Sequence, residues 1–80
     1  MIMIDILVPP LDAVYDIELD EQITAKQLRE SVEKLIGEKE NLTFSVAKRE
    51  LFLYRKGDFL KEDVPLILQG IVNADRLILV

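Results

Sequence analysis

The stretch MIMIDILVPPLDAVYDIELD, residues 1–20, decides the fold class. In its first run Ile2, Ile4, Ile6 and Val8 share one face of an extended chain, and Met3, Asp5 and Leu7 share the other. The inner set is β-branched, as a packed strand face prefers. Pro9 and Pro10 have no amide hydrogen to give a ladder, so they end the strand and open a turn through Leu11 and Asp12. The second run, VYDIELD at 14–20, alternates again, with Tyr15, Ile17 and Leu19 inward and Asp16, Glu18 and Asp20 outward. Two alternating runs about a proline turn make a hairpin whose inner face needs a cover.

The cover follows in the chain. Thr24 and Gln27 stand at the spacing of a capping box, and Leu28, Val32, Leu35 and Ile36 recur at helical intervals. With Gly37 as its stop, the helix is predicted over 25–36, with Lys26, Arg29, Glu30, Glu33 and Lys34 on its wet side. Residues 38–47 mix the charged EKEN with the apolar LTFSV, and leave loop, helical extension and short strand open. ELFLYR at 50–55 reads as a strand with Leu51 and Leu53 inward and Phe52 and Tyr54 outward. Lys56-Gly57-Asp58 then reverses the chain into a brief extended Phe59-Leu60. After Val64-Pro65, LILQGI is too short for a full helix and predicts one 3₁₀ or helical turn. The turn Asn73-Ala74-Asp75 leads into a last strand, 76–80, with Leu77 and Leu79 inward and Ile78 and Val80 outward. The expectation is one α+β domain over residues 1–80, a mixed four- to five-stranded sheet with one main helix packed on one face. A single helix covers a single face, so the other meets water or a partner.

Composition narrows the function. Half of the 80 residues are hydrophobic and 31% are charged, the balance of a chain that folds. The absence of Cys and His removes disulfides, thiol nucleophiles, imidazole acid–base chemistry and Cys/His zinc sites. The three glycines, at 37, 57 and 70, are too dispersed to cradle a phosphate, and no nucleotide-binding or metalloprotease motif occurs. Asp16, Glu18 and Asp20 share a strand face, but a hard cation normally draws oxygens from a loop. No enzyme activity, cofactor or metal is therefore expected. A net charge of −5 argues against nucleic acid and anionic membranes as partners. Charge is also uneven: residues 1–25 hold six acids and no base, whereas Lys48 to Lys56 holds four bases against Glu50. That asymmetry suits a protein partner with a mixed surface, or a plain solvated shell. The run Met1 to Val8 lacks a basic flank and is broken by Asp5 and the two prolines, and no segment approaches the roughly 20 apolar residues of a membrane span. A cytoplasmic protein without membrane insertion is expected.

With its elements in this order the chain resembles ubiquitin and its β-grasp relatives. Leu53, Leu60, Leu66, Ile71, Leu77 and Leu79 follow one another at the spacing of ubiquitin's core from its third strand to its last. VYDIEL at 14–19 and GIVNADRLILV at 70–80 are similar to the YukD/EsaB family, small bacterial ubiquitin-like proteins that accompany type VII (ESX-like) secretion systems. The broader likeness covers essentially the whole chain; the narrower one rests on those two strings and on total length. Together they imply a ubiquitin-like β-grasp fold and a cytoplasmic accessory or regulator of type VII secretion that works by binding protein. One position departs from the family, which commonly has Gly in the turn before the last strand, where this chain has Ala74. An L-residue at positive φ costs on the order of 1 kcal/mol, so either Asn73 takes the left-handed position or the turn differs in type. Conjugated and sulfur-carrying relatives resemble one another in a flexible tail ending Gly-Gly. Here the sequence ends at Val80 inside a predicted strand, so neither activity is expected.

In a β-grasp sheet the first, third and last strands are neighbours, so Met3, Leu7, Phe52, Tyr54, Ile78 and Val80 are expected to form one apolar patch on the uncovered face. By resemblance this is the face ubiquitin uses to bind partners, with Tyr54 and Val80 matching positions of its hydrophobic patch. Arg55 and Lys56, with Lys48 and Arg49, would give the patch a basic rim or stand as solvated charges, and Asp75 and Arg76 would cap and orient the final turn. The expected occupant is a protein, with type VII secretion machinery implied by the resemblance and a homodimer as the alternative.

Overall fold

The computed structural model describes residues 1–39 and 49–80. Strand β1 (Ile2–Val8) pairs antiparallel with β2 (Ala13–Leu19) over the full length of both, from Ile2 opposite Leu19 to Val8 opposite Ala13. The reversal between them is one 3₁₀ turn at Pro9–Leu11, closed where the Asp12 amide donates to the Pro9 carbonyl at 3.0 Å. Asp12 sits at φ 48°, a region Asp tolerates better than most residues.

Helix α1 (Ala25–Lys39) starts as its sequence predicts. The Gln27 amide donates to Thr24 Oγ1 at 3.1 Å, and the Thr24 amide donates to Gln27 Oε1 at 2.9 Å, a reciprocal capping box. Its end differs from expectation. The helix passes through Gly37 and continues to Lys39, because a helical glycine costs only about 1 kcal/mol relative to alanine and does not by itself break a helix. Lys39 in the last turn complements the helix dipole and lies 5.3 Å from the centroid of the Tyr15 ring. Residues 38 and 39 of the ambiguous segment are thus helical; the rest of that segment, and Lys48 of the expected basic rim, lie outside the described residues.

Three short strands complete the sheet: β3 (Leu51–Leu53), β4 (Asp58–Phe59) and β5 (Arg76–Leu79). The order across it is β2-β1-β5-β3-β4, with β1 and β5 parallel and every other pair antiparallel. The turn after β3 begins at Tyr54, two residues earlier than the sequence suggested, since the Gly57 amide donates to the carbonyls of both Leu53 and Tyr54. Gly57 holds φ 66° there. LILQ at 66–69 forms the expected 3₁₀ turn.

One core joins these elements. Ile4, Ile6 and Val8 of β1, Leu28, Val32 and Ile36 of α1, Leu51 and Leu53 of β3, and Leu77 and Leu79 of β5 are buried, with Leu66 and Ile71 closing one end. Leu35, read as part of the helix's inner stripe, is 49% exposed instead. It lies at the margin of that stripe, where the helix overhangs the sheet edge. Among the described residues no helix is long and apolar enough to cross a membrane.

The turn before β5 resolves the question posed by Ala74. Ala74 itself takes the left-handed conformation, at φ 72°. Asn73 is employed differently: its Oδ1 accepts the Met3 amide at 2.8 Å, while the Ala74 amide donates to the Met3 carbonyl at 2.7 Å. Both bonds clip the turn to β1, so the strain at Ala74 is held by a tertiary contact.

Candidate functional site

The helix covers one face of the sheet, and side-chain parity sends the alternate residues of every strand to the other. The pairing registers align five of them in a single transverse row. Val14 lies opposite Leu7, Leu7 opposite Ile78, Ile78 opposite Phe52, and Phe52 opposite Phe59. The row crosses all five strands. Its outer members Val14 and Phe59 are about half exposed, and Leu7, Ile78 and Phe52 are partly covered by one another. The Phe52 and Phe59 rings meet edge to face with centroids 5.2 Å apart, which fixes the aromatic end of the row.

Of the six apolar residues expected on this face, Leu7, Phe52 and Ile78 are in the row, and Tyr54 and Val80 flank it on opposite sides. Tyr54 is 67% exposed and Val80 46%. The Tyr54 amide donates to the Arg76 carbonyl, and Val80 exchanges two backbone hydrogen bonds with Glu50, each 2.9 Å, so both flanking side chains stand on fixed backbone. Met3 is on the same face but apart from the others. Between it and Leu7 runs a polar row, in which Asp5 is opposite both Asp16 and Arg76. The expected six-residue patch is therefore divided, and Met3 stands beside the Asn73 turn. Val14 and Phe59 were missed by the sequence reading. Val14 was legible, since it shares parity with Asp16 and Glu18 and so had to face outward. Phe59 was not, because a strand of two residues has no period to read.

The polar row has its own electrostatics. Asp5 and Asp16 lie opposite each other, and the hydrogen bond that a protonated Asp16 gives Asp5 raises the pKa of Asp16 above the ordinary value and lowers that of Asp5. Arg76 Nη2, 3.4 Å from Asp5 Oδ2, further favours the Asp5 anion. Arg76 thus serves the face rather than the turn.

Arg55 and Asp75 form the other charged unit. Arg55 Nε and Nη2 donate to Asp75 Oδ1 and Oδ2 at 2.8 and 3.0 Å, and Nη2 also donates to the Gly70 carbonyl at 2.7 Å. The Asp75 side chain is only 5% exposed, and its Oδ2 accepts the Val72 amide at 2.9 Å. The Arg55 hydrogen bonds hold the Asp75 carboxyl below its ordinary pKa against the opposing effect of burial. Asp75 caps the turn as expected. Arg55, expected in a basic rim, is instead committed to a bidentate pair that ties the β3–β4 turn to the β5 turn. Lys56 is exposed, with Nζ donating to the Gln69 carbonyl at 3.2 Å. It borders, with Phe59, a shallow cleft of about 260 Å³ beside the aromatic end of the row.

The fold is the ubiquitin-like β-grasp, as comparison with solved structures shows. A crystal structure of ATBAG1 in complex with HSP70 superposes with a TM-score of 0.77 at 15% sequence identity, covering 100% of this chain and 40% of that one. The ubiquitin-like domain of an Arabidopsis thaliana protein matches with a TM-score of 0.74 at 19% identity, over 99% of this chain and 74% of that one. A protein designed de novo on the basis of ubiquitin matches with a TM-score of 0.76 at 15% identity, over 99% and 85% respectively. This chain thus spans about two fifths of the ATBAG1-complex chain it resembles. No protein-family model and no curated protein matches the sequence.

Proposed function

We propose that this ubiquitin-like chain is a protein-binding module that docks noncovalently through its uncovered sheet face. The observation that carries the reading is the Val14–Leu7–Ile78–Phe52–Phe59 row. A contiguous apolar strip on a rigid sheet, bordered by charge, has the anatomy of an interface centre with a polar rim. Tyr54 and Val80 extend it, Lys56 and the Asp5–Arg76 pair set orientation, and Arg55 acts through the frame it braces. Met3 lies at the periphery. The finer assignment is a cytoplasmic bacterial accessory or regulator of type VII secretion. It rests on the resemblance of VYDIEL and GIVNADRLILV to the YukD/EsaB family, two strings that form β2 and the clipped turn with β5.

The test is capture from the source cell with tagged wild type beside a Tyr54→Asp, Val80→Asp double variant, both verified as folded by circular dichroism. Type VII components held by wild type and lost by the variant support the assignment. Equal capture by both overturns the docking face. Absence of those components, with a discrete dimer in light scattering that the variant dissociates, assigns the face to self-association.

A further inference from the structure

A second surface lies at the opposite edge of the sheet from β4. Strand β2 ends the sheet order, so one side of its backbone has no strand partner among the described residues. Which groups point that way follows from β1. The Asp5 amide donates to the Asp75 carbonyl, and the Met3 amide and carbonyl bond to Asn73 and Ala74, so Met3 and Asp5 turn their backbone toward β5. Alternation continues this to Leu7. Their β2 counterparts Glu18, Asp16 and Val14 then turn theirs away from β1, to the open edge. No described residue hydrogen-bonds to those backbone groups.

Beside this edge, on the helix side, is a cleft of about 200 Å³ whose lining is mostly apolar. Ile17, Ile23 and Leu28 form its floor and wall, and the half-exposed Leu35 overhangs it. On the other side of the same strand stand the carboxylates Asp16 and Glu18, in a segment of 25 residues that contains no Lys or Arg. A strand added here would place alternate side chains in two unlike environments, one apolar cleft and one acidic face.

We propose that the β2 edge binds an extended segment of a partner protein in which apolar residues alternate with Lys or Arg. Affinity comes from main-chain hydrogen bonds to Val14, Asp16 and Glu18. The apolar set enters the cleft against Ile17 and Leu35, and the basic set lies across from Asp16 and Glu18. The surface adjoins the row on the uncovered face at Val14, but this proposal does not rest on that reading and would stand if it failed.

The test uses isotope-labelled full chain titrated with a short end-blocked peptide alternating lysine and valine. Its controls are a glutamate–valine analogue and a lysine–valine peptide interrupted by proline. The expected result is amide shifts confined to β2, Ile23 and Leu35, with slowed hydrogen exchange at Val14, Asp16 and Glu18. The acidic analogue should be silent, and the proline peptide weaker by about tenfold or more. Asp16→Lys with Glu18→Lys, and separately Leu35→Asp, should each weaken binding by about tenfold or more, while Tyr54→Asp with Val80→Asp leaves it unchanged. Shifts centred on Leu7 and Ile78, equal binding of the proline peptide, or no response at about 1 mM peptide would overturn the proposal. A dimer of the chain that Glu18→Lys dissociates would also overturn it, by making the occupant a second copy.

Discussion

Ala74→Gly should stabilise the protein. Ala74 is exposed and holds φ 72°, while its amide donates 2.7 Å to the Met3 carbonyl, so the turn cannot relax without losing the clip to β1. The left-handed conformation costs an L-residue roughly 1–2 kcal/mol, which glycine avoids. Glycine gives back about 0.4–1 kcal/mol through the larger entropy of its unfolded chain. No buried contact is lost with the methyl group, so the net gain is about 0.5–1 kcal/mol, or roughly 2–8 °C in Tm for a domain of this size. Urea denaturation measures it as a rise in midpoint at unchanged slope. Gly57→Ala is the reciprocal experiment. A Cβ built at Gly57, φ +66°, meets nothing within 4 Å, so its cost is purely conformational and should mirror the gain at Ala74. Gly70→Ala, at φ +77°, should cost about as much as Gly57→Ala, because its Cβ would crowd only Nζ and Cε of Lys56, the flexible end of an exposed side chain that can swing aside. If Ala74→Gly leaves the midpoint unchanged or lowers it while Gly57→Ala destabilises, the left-handed assignment of Ala74 is wrong.

Asp75→Asn should destabilise the fold by about 2 kcal/mol, since it weakens charge-assisted hydrogen bonds to a nearly buried group. Because the folded pKa of Asp75 lies below its ordinary 3.8, the wild type's advantage should be complete above that pH and vanish as pH falls through the folded value, as chemical denaturation over an acid series would show. Asp16→Asn should raise Tm at neutral pH, where two opposed carboxylates repel. With the Asp16 pKa raised, its stabilising protonated form is complete below the ordinary 3.8 and lost as pH rises through the folded value, so the variant's gain should fade on acidification. Thr24→Ala should cost about 1 kcal/mol by removing one half of the capping box, read as a drop in denaturation midpoint.

What the sequence disclosed was what is written locally. The β1–β2 hairpin follows from two runs of period two around Pro9-Pro10, and the start of α1 follows from Thr24 and Gln27, whose side chains act within one turn. What it concealed depends on distance or on weak signals. The pair of Arg55 with Asp75 joins turns 20 residues apart, and nothing near either residue announces it. That Asp5 stands between Met3 and Leu7 was legible in β1 alone, but the row it makes with Asp16 and Arg76 is set by sheet register, a relation between strands that cannot be seen in any one of them. Gly37 misled because glycine stops a helix only when the following chain leaves it, and here the helix runs two residues further, to Lys39 over the Tyr15 ring. Asn73 was the better left-handed candidate by intrinsic preference; the Met3 amide claimed its side chain and moved the strain to Ala74.

The two proposed surfaces meet at β2, and that junction makes them separable by experiment. Phe59 and Tyr54 are remote from β2 across the sheet order, so substitutions there act on the face alone. Leu35 belongs to the helix-side cleft and acts on the edge alone. Asp16 belongs to both: its carboxyl lies on the uncovered face opposite Asp5, while its backbone lies on the open edge. A strand bound at the edge would set a basic side chain beside Asp16 and ease the repulsion between its carboxylate and that of Asp5. The two ligands would then be coupled through one carboxyl pair. Since a coupling free energy is reciprocal, occupancy of the edge should change affinity at the face by the same factor in both directions. Asp16→Asn, which removes one of the two facing charges, should bring that factor close to one while leaving each surface able to bind.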